Sequence, residues 1–233
     1  MSVNQEEKAA AFHALHHGPG AFVIPNPWDV ASARILGGLG FQALATSSAA
    51  SAAAIGRRDR ELTRDEALAH ATAIVCATDL PVSADLENGF GDTPESVAET
   101  IRLAAEVGLV GCTIEDSTGI SEHPLYDFHV AVERIAAAAQ VARALPFPFV
   151  LTARAHNFVY ANPSLADTIK RLRAFEDAGA DVLFAPGLPD LATVRTVCKA
   201  VSKSEARSLA TTFCRAAMTG FLDVAHEAGS MAG

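Results

Sequence analysis

Positive charge is in short supply. The chain carries 18 Lys and Arg against 27 Asp and Glu, a net charge of −9. That balance excludes a general nucleic-acid binder, although an anionic substrate needs only local positive charge. Charged residues of both signs amount to 19% and hydrophobic ones to 50%, which excludes a disordered chain. No apolar run approaches the ~20 residues of a membrane span. The opening residues, MSVNQEEKAA, lack the basic and apolar segments of a secretory signal. The four cysteines (Cys76, Cys112, Cys198 and Cys214) are scattered without a CxxC pair, as expected of reduced thiols in a cytoplasmic protein. The nucleotide fingerprints GxGxxG and GxxxxGK[ST] are missing, and so are HExxH and GxSxG. Those absences leave a Rossmann cofactor, a zinc site and a hydrolase triad without an anchor.

What is present is alternation. Short apolar runs alternate with longer Ala-rich stretches of helical period. Strands are expected at Ala21–Pro25, Ala43–Thr46, Val82–Leu86, Gly111–Ile114, Phe149–Thr152, Asp181–Phe184 and Arg207–Ala210. Helices are expected at Gln5–His16, Trp28–Leu36, Arg64–Ala77, Pro94–Val107, Phe128–Leu145, Leu165–Ala178, Leu191–Val201 and Phe213–His226. Thr63-x-x-Glu66 reads as a capping box, and Gly108 and Gly179 as helix stops. No linker or low-complexity tract divides the chain, so residues 1–233 are expected to form a single α/β-barrel domain.

Regular βα alternation implies a parallel sheet, either an open doubly wound one or a (β/α)8 TIM-type barrel. Polar residues cluster at the C-terminal ends of the strands, which favours the barrel. The strand count stops at seven. Only Ser-Lys-Ser-Glu-Ala separates the helix ending at Val201 from the last strand, whereas a βα unit needs ~25–30 residues. One unit, the seventh, is therefore expected to be absent from this sequence.

The candidate chemistry sits at those strand ends. Asp85, Glu87 and Glu115 follow adjacent strands and could share a hard cation such as Mg2+ or Mn2+; acids capping the next helices are the plainer reading. Arg154 ends an apolar strand and could clamp a carboxylate or phosphonate, or pair with Glu115 or Asp116. Thr46, Ser47 and Ser48 could hold a substrate oxyanion or form a polar turn. Asp59 lies in the loop after the second predicted strand. His123 and His156 are the candidates for a general acid.

The phrases NPWDVASARILGGLGFQALATSS, SADLENGFGD, GCTIEDS, LTARAHNF, AGADVLFAPGL and SLATTFCRAAMTGFLD together resemble the isocitrate lyase / phosphoenolpyruvate mutase superfamily. The resemblance spans nearly the whole chain. It implies a Mg2+-dependent barrel acting on an α-keto or α-hydroxy carboxylate through an enolate. It also implies that Asp85 is the main metal-side carboxylate, with Glu87 and Glu115 acting through waters. Asp59 matches the acid of the loop after the second strand, Arg154 the substrate clamp, and Thr46, Ser47 and Ser48 the oxyanion segment. The implied assembly is a dimer of dimers that exchange the last helix, here 213–226. Two positions depart from the pattern: Glu87 stands where Asp is usual, and His156 where Glu is usual. The loop STGISEHPLYDF lacks the Cys of the lyases and the Lys of the mutases. A C–C lyase or decarboxylase is the first expectation. A phosphonopyruvate-type mutase or hydrolase and a non-catalytic member are the alternatives.

Overall fold

The computed structural model describes residues 3–18, 21–160 and 163–201, and the backbone of 208–210. Six parallel strands run in chain order: β1 (Leu44–Ala45), β2 (Val82–Asp85), β3 (Gly111–Glu115), β4 (Val150–Arg154), β5 (Val182–Phe184) and β6 (Ser208–Ala210). Eight α-helices accompany them among the described residues: α1 (Gln5–His17), α2 (Val30–Gly38), α3 (Ser48–Ala54), α4 (Arg64–Ala77), α5 (Pro94–Glu106), α6 (Phe128–Ala144), α7 (Leu165–Asp177) and α8 (Leu191–Val201). Sequential order in a parallel, curled sheet is consistent with a TIM-like α/β fold. The predicted helix 213–226 lies outside the described residues.

The helix starts follow their caps. Thr63 and Glu66 form the expected capping box on α4, and Asn4 and Glu7 form another on α1. Gly108 and Gly179 take positive φ after α5 and α7, as their positions required.

Two expectations need correction. Ala21–Pro25 is not a strand of the sheet. Among the described residues it reaches β1 through a single backbone bond, Ala45 N–H to Pro25 O at 3.1 Å. Pro25 and Pro27 lack the amides that a regular ladder needs. Helix α3 was not anticipated, because SAASAAA has no apolar period to read.

The strands divide their residues by parity. Ala84, Cys112, Ile114, Leu151, Ala153 and Leu183 face the helices and join the main apolar core. On the other face, Val150 and Val182 pack with Ala43, Val110 and with Ala9 and Phe12 of α1. This second cluster closes the N-terminal end of the sheet's inner face. Further along that face stand Thr113 and Thr152, partners in the β3–β4 register, and then Glu115 and Arg154, also partners. β4 thus runs from apolar Val150 to hydroxyl Thr152 to charged Arg154 in steps of two residues, and β3 ends the same way in Thr113 and Glu115.

Candidate active site

The parallel register builds the site. Asp85 ends β2 beside Thr113 of β3, and the Thr113 hydroxyl donates to Asp85 Oδ1 at 3.3 Å. Glu115 ends β3 beside Arg154 of β4, and Phe184 of β5 lies on the far side of Arg154. The Arg154 guanidinium sits 3.1 Å from Asp85 Oδ1 and 3.6 Å from Glu115 Oε2, with the Phe184 ring 5.0 Å away. Sequence reasoning offered Glu115 or Asp116 as its partner; the register supplies Glu115 and adds Asp85.

The segment Thr46–Ser48 wraps Asp85. The amide of Ser48 donates to Asp85 Oδ2 at 3.2 Å and its hydroxyl does so at 3.1 Å. The hydroxyl of Thr46 accepts from the Asp85 amide at 3.1 Å. Ser47 faces its own helix, capping α3 at Ala50 N. Burial disfavours charge on Asp85, but Arg154 and these amide donors hold its carboxyl below the usual carboxylate range.

Glu87 behaves in the opposite way. It sits in the turn after β2 with a left-handed backbone, φ 49°, and its carbonyl accepts from the Glu115 amide at 2.9 Å. Burial, with the charges of Asp85, Asp59 and Glu115, pushes its carboxyl up to about 7. The turn is braced from behind by Arg134 of α6, which is 1% exposed. That guanidinium donates to the carbonyls of Asn88 and Gly91 and lies 4.1 Å over the Tyr126 ring. The Tyr126 hydroxyl donates to Asp92 at 2.6 Å and accepts from Asn88 at 2.9 Å.

His156 joins the cluster and His123 does not. The Nε2 of His156 lies 3.0 Å from Glu115 Oε2 but out of line for a hydrogen bond, so both buried ring nitrogens lack a hydrogen-bond partner among the described residues. Its amide donates to Asp116 at 2.9 Å. Asp116 is itself paired with the buried Arg171 at 3.2 Å, and burial raises its carboxyl despite that partner. His123 is exposed in the loop after β3. It lines a separate cleft of about 580 Å3 with Tyr126, Asn157 and Tyr160. Asp59 is exposed and meets the cluster only through its charge on Glu87.

One functional-site residue escaped the sequence reading. Arg60, next to Asp59, donates to Glu115 Oε1 and, at 2.7 Å, to Ser117 Oγ. Its only signal was a cluster of arginines in RRDRE, in a loop already suspected of carrying an acid. Among the described residues, no three of His, Cys, Asp and Glu stand close enough to hold a metal ion directly. Asp85, Glu87 and Glu115 form an arc interleaved with Arg60 and Arg154 instead.

Comparison with known proteins decides the lineage. The family described as phosphoenolpyruvate phosphomutase matches residues 12–226. The chain belongs to that family. The phosphoenolpyruvate phosphomutase fold is shared with a lyase/mutase candidate from Burkholderia cenocepacia J2315. That structure is 51% identical with a TM-score of 0.90, over 97% of this chain and 80% of the other. An uncharacterized protein of Mycobacterium tuberculosis is 34% identical over 177 residues, 76% of this chain and 65% of its own length. An oxaloacetate decarboxylase of Bradyrhizobium diazoefficiens is 31% identical over 190 residues, 78% of this chain and 64% of its own. The chain thus spans slightly under two thirds of these curated relatives.

Proposed function

We propose that this protein is a Mg2+-dependent lyase acting on a small α-keto or α-hydroxy carboxylate, by C–C cleavage or decarboxylation through an enolate. The observation that carries the reading is the convergence of Asp85, Glu87, Glu115 and Arg154 at the C-terminal ends of three adjacent parallel strands. The naming of relatives as oxaloacetate decarboxylase and 2-methylisocitrate lyase agrees with it.

The donor set suits a hard cation. It is anionic and oxygen-only, and the charges of Asp85, Asp59 and Glu115, which add to burial in raising the Glu87 carboxyl, are ones that a cation would relieve. Asp85, already ionised, would hold the ion most directly, with Glu87 and Glu115 reaching it through water. When bound, Mg2+ (or Mn2+) would polarise the substrate carbonyl and stabilise enolate charge. Arg154 would turn from Asp85 and Glu115 to the substrate carboxylate. Thr46 and the backbone of Ser47, whose hydroxyl caps α3, would line the oxyanion side, and Ser48 would keep Asp85 oriented. Asp59 would add negative charge at the entrance. His156 is the better-placed proton carrier through Nε2. His123 would serve only if its loop folded inward.

The same reading makes residues 1–233 one catalytic barrel domain, in the cytoplasm, with the seventh βα unit missing between Val201 and Ser208. The direct pairing of β6 with β5 supports the last point. Exposed Trp28, Ile35 and Leu39 support an oligomer; a dimer of dimers that exchange the last helix is what the family resemblance implies.

Calorimetric titration with oxalate, an enolate mimic, tests the function. Binding is expected only with Mg2+ and is expected to vanish in Asp85→Ala. An unchanged Mg2+-dependent affinity in that variant would overturn the assignment.

A further inference from the structure

We propose that Tyr126 is a positioning residue for Glu87: its hydroxyl holds the turn that carries this carboxylate, and its backbone holds the end of the loop 117–125, so that the two are placed together. This rests on the metal–enolate reading above and deepens it.

The turn needs outside support. Glu87, Gly89 and Phe90 take φ of 49°, 86° and 58°. Two of the three are not glycine, and a left-handed backbone costs such residues unless their surroundings impose it. On its upstream side the turn is tied to the neighbouring carboxylates. The Glu87 amide donates to Asp85 Oδ1 at 3.2 Å, and its carbonyl accepts from the Glu115 amide at 2.9 Å. On its downstream side the constraint comes from side chains of other elements. Thr100 of α5 donates to the Gly89 carbonyl at 2.7 Å, and Arg134 of α6 donates to the carbonyls of Asn88 and Gly91. The Tyr126 hydroxyl then joins the two ends of the turn. It accepts from Asn88 Nδ2 at 2.9 Å and donates to Asp92 Oδ1 at 2.6 Å, while Asn88 Oδ1 accepts from the Phe90 amide at 3.1 Å. Burial and Asp92 push this hydroxyl up to about 12, so it stays a donor at neutral pH.

Tyr126 is also where the loop after β3 ends. Its amide donates to the Asp116 carbonyl at 2.9 Å, and its carbonyl accepts from the buried Arg171 at 3.0 Å. Just inside, Ser117 and Leu125 form an antiparallel bridge, and the Thr118 amide donates to the Pro124 carbonyl at 3.0 Å. The loop thus closes on itself at a neck beside Tyr126, while residues 119–123 are exposed. The neck meets the charged cluster as well, since Ser117 Oγ accepts from Arg60 at 2.7 Å. A shift of the neck moves the phenol, and the phenol moves Asn88, one residue from Glu87. A carboxylate that reaches a cation through water tolerates little such displacement.

Tyr126→Phe isolates the role. It keeps the ring that lies 4.1 Å from the Arg134 guanidinium and deletes only the hydroxyl. Calorimetry on the full chain measures Mg2+-dependent oxalate affinity in wild type, Tyr126→Phe, Glu87→Gln and the double variant. Tyr126→Phe is expected to weaken oxalate about tenfold in the wild-type background, and less than about twofold when position 87 is already Gln. A tyrosine with a merely structural role would weaken both backgrounds by the same factor. That result, or an unchanged affinity in Tyr126→Phe, overturns the proposal. Hydrogen exchange in metal-free protein is the second readout, and it decides the outcome if Glu87→Gln binds no oxalate. Tyr126→Phe is expected to speed exchange about tenfold in both 86–92 and 117–126 and to leave 5–17 unchanged. Faster exchange in 117–126 alone overturns the proposal. Asp92→Asn, at an exposed position, removes the charged acceptor and is expected to give the same pattern at smaller size. It takes the place of Tyr126→Phe if that variant does not fold. Wild type that binds no oxalate overturns the underlying reading, and this inference with it.

Discussion

The two ends of the same strands are different chemical environments. At the N-terminal end, Val150 and Val182 meet Ala9 and Phe12 in an apolar cluster. Two steps further along β4, Thr152 and then Arg154 face the same side, beside Glu115, Asp85 and His156. The backbone is the same at both ends, and so is the face. The difference is the cover: α1 seals one end, while loops carrying Ser48, Arg60 and Glu87 border the other. Stability is concentrated where water is excluded, and reactivity where the loops arrive.

Substitution at Arg154 should break the contrast most severely. Arg154→Met leaves Asp85 and Glu115 buried without their shared cation. Stability at neutral pH should fall by about 3–5 kcal/mol, and Mg2+-dependent oxalate affinity should drop about 100-fold or more. Urea unfolding and calorimetry on one preparation read both effects. At the sealed end, Phe12→Ala should cost about 3–4 kcal/mol, because a ring only 2% exposed leaves a cavity. Its oxalate affinity should stay within about twofold, and a large loss would mean that the ends are not independent.

The third test is one of pH. Glu87 holds its proton up to about 7 in the fold, against an ordinary value of 4.5. The folded state therefore binds more protons than the unfolded one between those values, and stability declines as pH rises through that window. The decline should be on the order of 2–3 kcal/mol in metal-free protein. Glu87→Gln should flatten it, and Mg2+ should stabilise the wild type at pH 7.5 more than at pH 5. A slope that survives in Glu87→Gln would assign the titration to another group.

Much of this was legible in the sequence, for identifiable reasons. Buried parallel strands read as apolar runs, so β2 and β3 could be placed within one residue and β4 within two, and Asp85, Glu115 and Arg154 marked their ends. The helix boundaries of α4 and α8 matched because caps and periodicity are local. Register is not local. The pairing of Arg154 with both Asp85 and Glu115 depends on how three strands align. Arg60 depends on a loop path that has no period at all. Arg134 shows a subtler gap. It falls on the apolar stripe of α6 with Ala131, Ile135 and Ala138, and only the turn it braces explains a charge there. Ala21–Pro25 misled in the other direction, since its apolar run hid the cost of Pro25 and Pro27.

Gly111 opens β3 on the inner face, where a Cβ would meet the Val150 carbonyl at 2.7 Å and the Phe12 ring at 3.0 Å. Glycine and phenylalanine there act as key and keyhole. Enlarging position 111 first produces a collision, and trimming position 12 first opens a void. In a drifting lineage neither change is an easy first step, so the pair should be inherited together or replaced together, while the charged rim above remains free to vary with the substrate.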